Sequence, residues 1–393
     1  MENILYWLWL TTKTRITPTK ITHLLERYES IRDIYEATEY SRLNDFSPSL
    51  IAALNDKSLD YAREVYKRTE EAGARVLAFD DKDYPDMLRN IIDPPYVLYV
   101  KGENLPWDRL FTIGVVGTRK CDPYGRMATM NISRDLARMG VTVVSGMARG
   151  IDSIAAEAAL RVGAKTIAVL GSGIDVIYPP ENDKLYDAIT KNGAVVTEYP
   201  PKTPALPTNF PIRNRIIVGL SRGVLVTQAP KRSGALISAR CALENNRDVF
   251  AVPGDIFQMQ YEGTNEIIKS YAKPITCAND IIVEYPYETG RMKLLKGENS
   301  NDKSDMQNTG TESVLPTPVY SNSIQVSVED KKYANLKPKE KEIIKLLIES
   351  NLHTDEIIRK TGIPTGELNT IMVLLEMNGM VRRLPGNNYK LKL

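Results

Sequence analysis

The stretch Val141-Thr142-Val143-Val144-Ser145-Gly146-Met147-Ala148-Arg149-Gly150-Ile151-Asp152 opens with β-branched residues, the mark of a buried strand. It then breaks into small residues with two glycines. The alanine-rich run from Ser153 to Leu160 reads as a helix. Strand, glycine-rich turn and helix together aim backbone N–H groups and a positive helix end at an anion. Ser145, Gly146, Arg149 and Gly150 are therefore candidates for holding a phosphate. A tight turn whose glycines serve the backbone alone looks the same, and this stretch does not choose between the two. Asp152 reads as the N-cap of the helix.

Outward from this stretch, strand and helix alternate. Strands are expected near 112–117, 141–145, 166–170, 194–198, 224–228 and 249–252, with helices near 124–139, 153–162, 183–191, 213–220 and 235–245. Val-, Ile- and Leu-rich strands separated by helices indicate an α/β protein, a Rossmann-like doubly wound parallel sheet covered on both faces. Ligands of such a sheet bind at the carboxyl ends of its strands. Residues 1–72 read as an all-helical module, of SAM or helix-hairpin-helix type, with Thr17 capping a helix that starts at Pro18. Two short strands, 75–79 and 96–100, connect it to the sheet domain, which spans 73–286. Residues 287–335 read as a flexible linker, nearly free of apolar side chains over 296–308. Residues 336–393 carry three helices and a hairpin, a winged helix-turn-helix.

Composition narrows the function. The chain has 393 residues and a net charge of only +2, so any nucleic-acid site has to be a local patch. Cys121, Cys241 and Cys277 are far apart and His23 and His353 lie at opposite ends. That argues for a reducing cytoplasm, and neither a metal nor a cofactor is expected. The apolar start, Met1 to Leu10, reads as a first helix and not as a signal peptide.

The ends of the strands share a bias. Gly117-Thr118-Arg119 follows the first, the opening turn the second, and Gly171-Ser172-Gly173 the third. Arg213-Asn214-Arg215 follows the loop after the fourth, and Lys231-Arg232-Ser233-Gly234 follows the fifth. Glycine, hydroxyl and cation recur on one rim, as a phosphate groove requires. Arginine forks match phosphate oxygens in a bidentate way. One of Arg213 and Arg215 could instead form an ion pair inside the domain. No P-loop and no full GxGxxG motif is present, and no histidine lies in the sheet domain. Binding is favoured over catalysis.

Gly117-Thr118-Arg119, 145–152, 167–175, Phe210-Pro211-Ile212-Arg213-Asn214-Arg215-Ile216-Ile217 and Val252-Pro253-Gly254, in this order, resemble the DNA-processing protein A family (DprA, also called Smf). The resemblance implies a single-stranded DNA binding protein that protects incoming DNA in natural transformation. It implies loading of the RecA recombinase and homodimerisation through the Rossmann-like domain, with no chemistry on the DNA. This sequence departs from the pattern at Glu157, where a histidine is usual, and at Gln228, near a usual glutamate. The Glu157 charge puts ligand contacts from its helix in question.

Two other functions compete. One is a nucleotide phosphoribohydrolase of the cytokinin-activating type, whose fold is related. It needs a glycine-rich loop and a catalytic glutamate, and 229–235 has neither. The other is a duplex-DNA regulator centred on the winged helix. Its third helix shows Glu367, Asn369 and Glu376 and no arginine or lysine, a poor match to a major groove.

Overall fold

Short strands with nearly every residue buried build the centre of the first of two compact units. They are β1 Arg75–Ala78, β2 Val97–Gly102, β3 Thr112–Val116, β4 Thr142–Ser145, β5 Thr166–Val169, β6 Gly193–Thr197, β7 Gly223–Val226, β8 Asp248–Ala251 and β9 Lys273–Pro274. The computed structural model describes residues 2–14, 16–38, 40, 46–288, 336–349, 352–377, 380–384 and 388–391. The sheet order is β1-β2-β6-β5-β4-β3-β7-β8-β9. Strands β3 to β9 run parallel, and β1 and β2 add antiparallel on the β6 edge. The chain winds outward from β3 to β6 and then returns to β7 on the other side of β3. The strand order reverses between β3 and β7, where a doubly wound sheet opens a crevice.

The helices are α1 Glu2–Thr11, α2 Pro18–Leu25, α3 Ile31–Glu36, α4 Pro48–Asn55, α5 Asp60–Glu71, α6 Asp86–Arg89, α7 Pro123–Arg138, α8 Ile151–Leu160, α9 Asp183–Lys191, α10 Asn209–Gly219, α11 Gly234–Glu244, α12 Glu262–Ser270 and α13 Asn279–Ile282. Side-chain caps start several of them. Thr17 accepts from the Lys20 N–H, Asp122 from Gly125, and Ser233 from Ala235. The α8 N-cap position is Gly150 and not Asp152, which sits inside the first turn. Helix α10 starts at Asn209, a turn earlier than expected from the periodicity.

The amino-terminal helices do not form a core of their own. Trp7, Leu8, Trp9 and Leu10 of α1 are buried in one apolar cluster with Val76, Tyr99, Met147, Ala168, Leu170 and Val195. Trp7 stacks on Tyr96 of the segment leading into β2, with ring centres 5.6 Å apart. The early strands expected to connect module and sheet therefore carry the sheet into the helices.

Two compact units divide the chain at 303/304. The second holds α14 Pro338–Glu349, α15 Thr354–Thr361 and α16 Thr365–Met377. Its strands, β10 Leu352–His353, β11 Val381–Leu384 and β12 Asn388–Leu391, pair in the order β10-β12-β11. Ile343, Ile344, Leu347, Ile357, Leu368 and Leu375 fill its core. This is a winged helix with an additional strand, into which His353 falls rather than into the helix expected there. Of the expected linker, 289–335 lies outside the described residues.

Candidate nucleic-acid interface

The crevice between β3 and β7 is a cleft of about 490 Å³. Gly117, Thr118 and Arg119 from the β3 exit and Arg232, Ser233 and Gly234 from the β7 exit form two of its sides. Helix α10 closes the third with Phe210, Arg213 and Asn214. Asn209 fixes that helix by donating from Nδ2 to the Gly171 carbonyl at 3.0 Å. The Phe210 ring then lies over Gly171, where a Cβ would come within 3.0 Å of it. Arg119 is exposed and its guanidinium sits 5.0 Å from the Phe210 ring centre. Tyr178 also packs on Phe210, tilted, with ring centres 5.4 Å apart. Arg149 follows at 6.0 Å from the Tyr178 ring. Arg119, Phe210 and Tyr178 line the cleft, and Arg149, outside the lining, continues this row of successive contacts. On the α11 side, the buried Ser238 hydroxyl borders the cleft without a hydrogen-bond partner.

Beneath this row lies a tier of buried charge that corrects several expectations. Arg213 is 3 % exposed. Its guanidinium donates to the Gly146 carbonyl at 2.9 Å and to the Val169 carbonyl. Asp152 lies beside it and accepts from the backbone N–H groups of Gly146 and Ala148. Burial pushes the Asp152 carboxyl up to about 6, against the pull of Arg213 and Arg119. Burial likewise lowers Arg213 to about 10, with Asp152 opposing. Arg215 forms two hydrogen bonds with Glu198, at 2.8 and 2.6 Å. Burial alone would lower it, and Glu198 more than offsets that. Neither arginine is an open phosphate clamp. Both hold strand exits together, because α10 packs its inner face on the β4, β5 and β6 ends.

The turn at 145–150 is also structural. The Ser145 hydroxyl is buried and donates to the Val115 carbonyl at 2.7 Å. A Cβ on Gly146 would lie 2.4 Å from Arg213 Nη2. Gly150 has φ +78°, and a Cβ there would lie 2.5 Å from the Thr118 carbonyl oxygen. Gly173 is needed for the approach of the Pro200 carbonyl, 2.6 Å from where its Cβ would be. Ser145, Gly146, Gly150, Gly171 and Gly173 thus shape the rim and do not line the cleft. Lys231 is exposed outside the lining, and its neighbour Arg232 takes that place. Gln228 is buried, and its Oε1 accepts from the Asp122 N–H while its carbonyl accepts from the Thr118 N–H. Glu157 is not among the cleft-lining residues and pairs with Arg161 at 3.8 Å.

A family model described as DNA recombination-mediator protein A matches residues 75–286, over half of the chain. The chain belongs to this family. A second model, the DprA winged helix domain, matches 329–387. Protein Smf of Synechocystis sp. is 32 % identical over 98 % of both chains. DNA processing protein DprA of Bacillus subtilis is 41 % identical over 55 % of this chain and 73 % of that protein. The X-ray structure of DNA processing protein A from Streptococcus pneumoniae superposes with a TM-score of 0.66 at 32 % identity, covering 72 % of this chain and 98 % of that one.

Phe210, within a family motif, and Tyr178, just beyond one, are residues whose place in the cleft the sequence did not single out. The signal available was an aromatic ring directly before Pro211 and another before Pro179, both at strand exits. Among the described lining residues, Asp152 is the one carboxylate, and it is already matched to Arg213. The cleft offers cations and ring faces, with no histidine in its lining.

Proposed function

We propose that this chain binds single-stranded DNA along the carboxyl rim of its sheet, protects it in natural transformation and loads RecA on it, without chemistry on the DNA. The supporting observation is the row of contacts Arg119, Phe210 and Tyr178 in the cleft lining, continued outside it by Arg149. Single-strand binders combine cations that follow the backbone with aromatic faces on which bases stack, and this tolerates any sequence. The α11 start, with Ser233 and Gly234 in the cleft lining, offers donors to one phosphate. RecA loading, a homodimer through the sheet domain and a cytoplasmic location rest on family membership. Residues 1–72, 73–286, 287–335 and 336–393 are the segments we assign, with DNA held by the second.

Fluorescence anisotropy with single-stranded and duplex oligonucleotides at two salt concentrations tests the binding. Tighter, salt-dependent binding of the single strand is expected, and equal or weaker binding than duplex overturns the reading. Truncation after Lys303 keeps the affinity if the winged helix is not the DNA-holding part. RecA loading is tested by the rate of DNA-dependent ATP hydrolysis by RecA with and without the chain. The hydrolase alternative would draw on Asp152 and a nucleoside monophosphate, and no release of free base is expected.

A further inference from the structure

Arg149, the last cation of the row, is matched by an acid. Its Nε and Nη2 donate to the two carboxylate oxygens of Glu181, the second at 3.1 Å. Both side chains remain about half exposed, at 50 % and 54 %. The acid is held in place by its neighbour. Asn182 donates from Nδ2 to the Met147 carbonyl and to Ser153 Oγ, each at 2.8 Å. This fastens residues Pro180–Asn182 to the turn that carries Arg149. Tyr178, on the same segment, faces that guanidinium and packs on Phe210.

A carboxylate presents to a guanidinium the same two-oxygen face as a phosphate. An exposed pair of this kind is weak and screened by salt. A strand already gripped at Arg119 and Phe210 brings its next phosphate at high effective concentration, which a free anion does not. We propose that Glu181 is a displaceable stand-in for a backbone phosphate: it holds Arg149 beside Tyr178 in the free protein and yields it to the strand. This rests on the single-strand reading above. It makes Glu181 a residue that sets binding strength from outside the cleft. It also makes the Arg149 contact depend on a strand long enough to pass Tyr178.

The test uses the full chain and labelled oligo(dT) over a salt series. Wild type, Glu181→Gln, Arg149→Ala, the double variant and Arg119→Ala are compared. Glu181→Gln is expected to bind about two- to fivefold tighter at low salt, the range of exposed pairs. Its plot of log affinity against log salt is expected to steepen by roughly 0.7, one further single-strand phosphate neutralised without freeing a carboxylate. The gain disappears in the Arg149→Ala background. Unchanged affinity and slope in Glu181→Gln overturn the proposal, as does a gain of the same size without Arg149. If Arg119→Ala weakens binding while Glu181→Gln changes nothing, only the stand-in falls. If wild type fails to bind the oligonucleotide, the single-strand reading falls and takes the stand-in with it. Thermal melts of the variants check that half-exposed positions leave the fold intact.

Discussion

Arg213 and Arg119 line the same cleft, both near the Phe210 ring, and do different work. Arg213 is sealed in by α10, with two carbonyls and Asp152 as partners. Arg119 stands in solvent against the Phe210 ring. The difference is one of solvation. A desolvated guanidinium needs its partners from the protein itself, while a solvated one can still exchange water for a phosphate. Replacing Arg213 by Met strands a buried carboxylate and costs about 3–5 kcal/mol of stability. Urea unfolding measures this, and an unshifted midpoint breaks the division into buried and open tiers.

Arg119→Ala is expected to leave the urea midpoint alone and weaken single-strand binding by about 1.5–3 kcal/mol, the range of charge-assisted hydrogen bonds. Its salt slope should fall by roughly 0.7. Phe210→Ala sharpens the contrast from the other side. It removes a stacking face, expected to weaken binding by about 1–3 kcal/mol with little change of salt slope. Anisotropy over the same salt series separates the two. A slope change in Phe210→Ala would mean that the ring acts through Arg119 and not on bases.

The sheet was legible because buried parallel strands are continuous apolar runs, and β3 to β8 are such runs. The rim was legible as a place, since glycine, hydroxyl and arginine bracket each strand end. The direction of each side chain was not. Arg213 and Arg215 are two residues apart on one helix, so their side chains diverge, and both found partners on strand exits distant in sequence. Which exit faces α10 depends on strand order, and local pattern does not encode it. Strand β9 has two residues, too few to show any period. The core shared by α1 and the sheet is likewise non-local, so cutting the chain at Arg75 would uncover the faces that Trp7 and Leu10 occupy. Binding is better compared in the full chain than in a fragment 75–285.

The smallest expected effect comes from protons and tests whether the two tiers communicate. Asp152 is raised from 3.8 to about 6 by burial. Above that pH it is ionised and offsets the charge of Arg213 and Arg119; below it the cleft gains one positive charge. Oligonucleotide affinity is therefore expected to rise as pH falls from 8 to 5.5, by about 1 kcal/mol or less, as for charges separated in a largely aqueous cleft. Stability follows the same sign. The folded state holds the Asp152 proton more tightly than the unfolded chain, so this group's contribution is full below pH 3.8 and is lost as pH rises through about 6. Asp152→Asn should fix the affinity near its low-pH level and flatten both profiles between pH 5 and 7. An affinity that keeps its full pH dependence in Asp152→Asn would place the titrating group elsewhere and leave the buried tier purely structural.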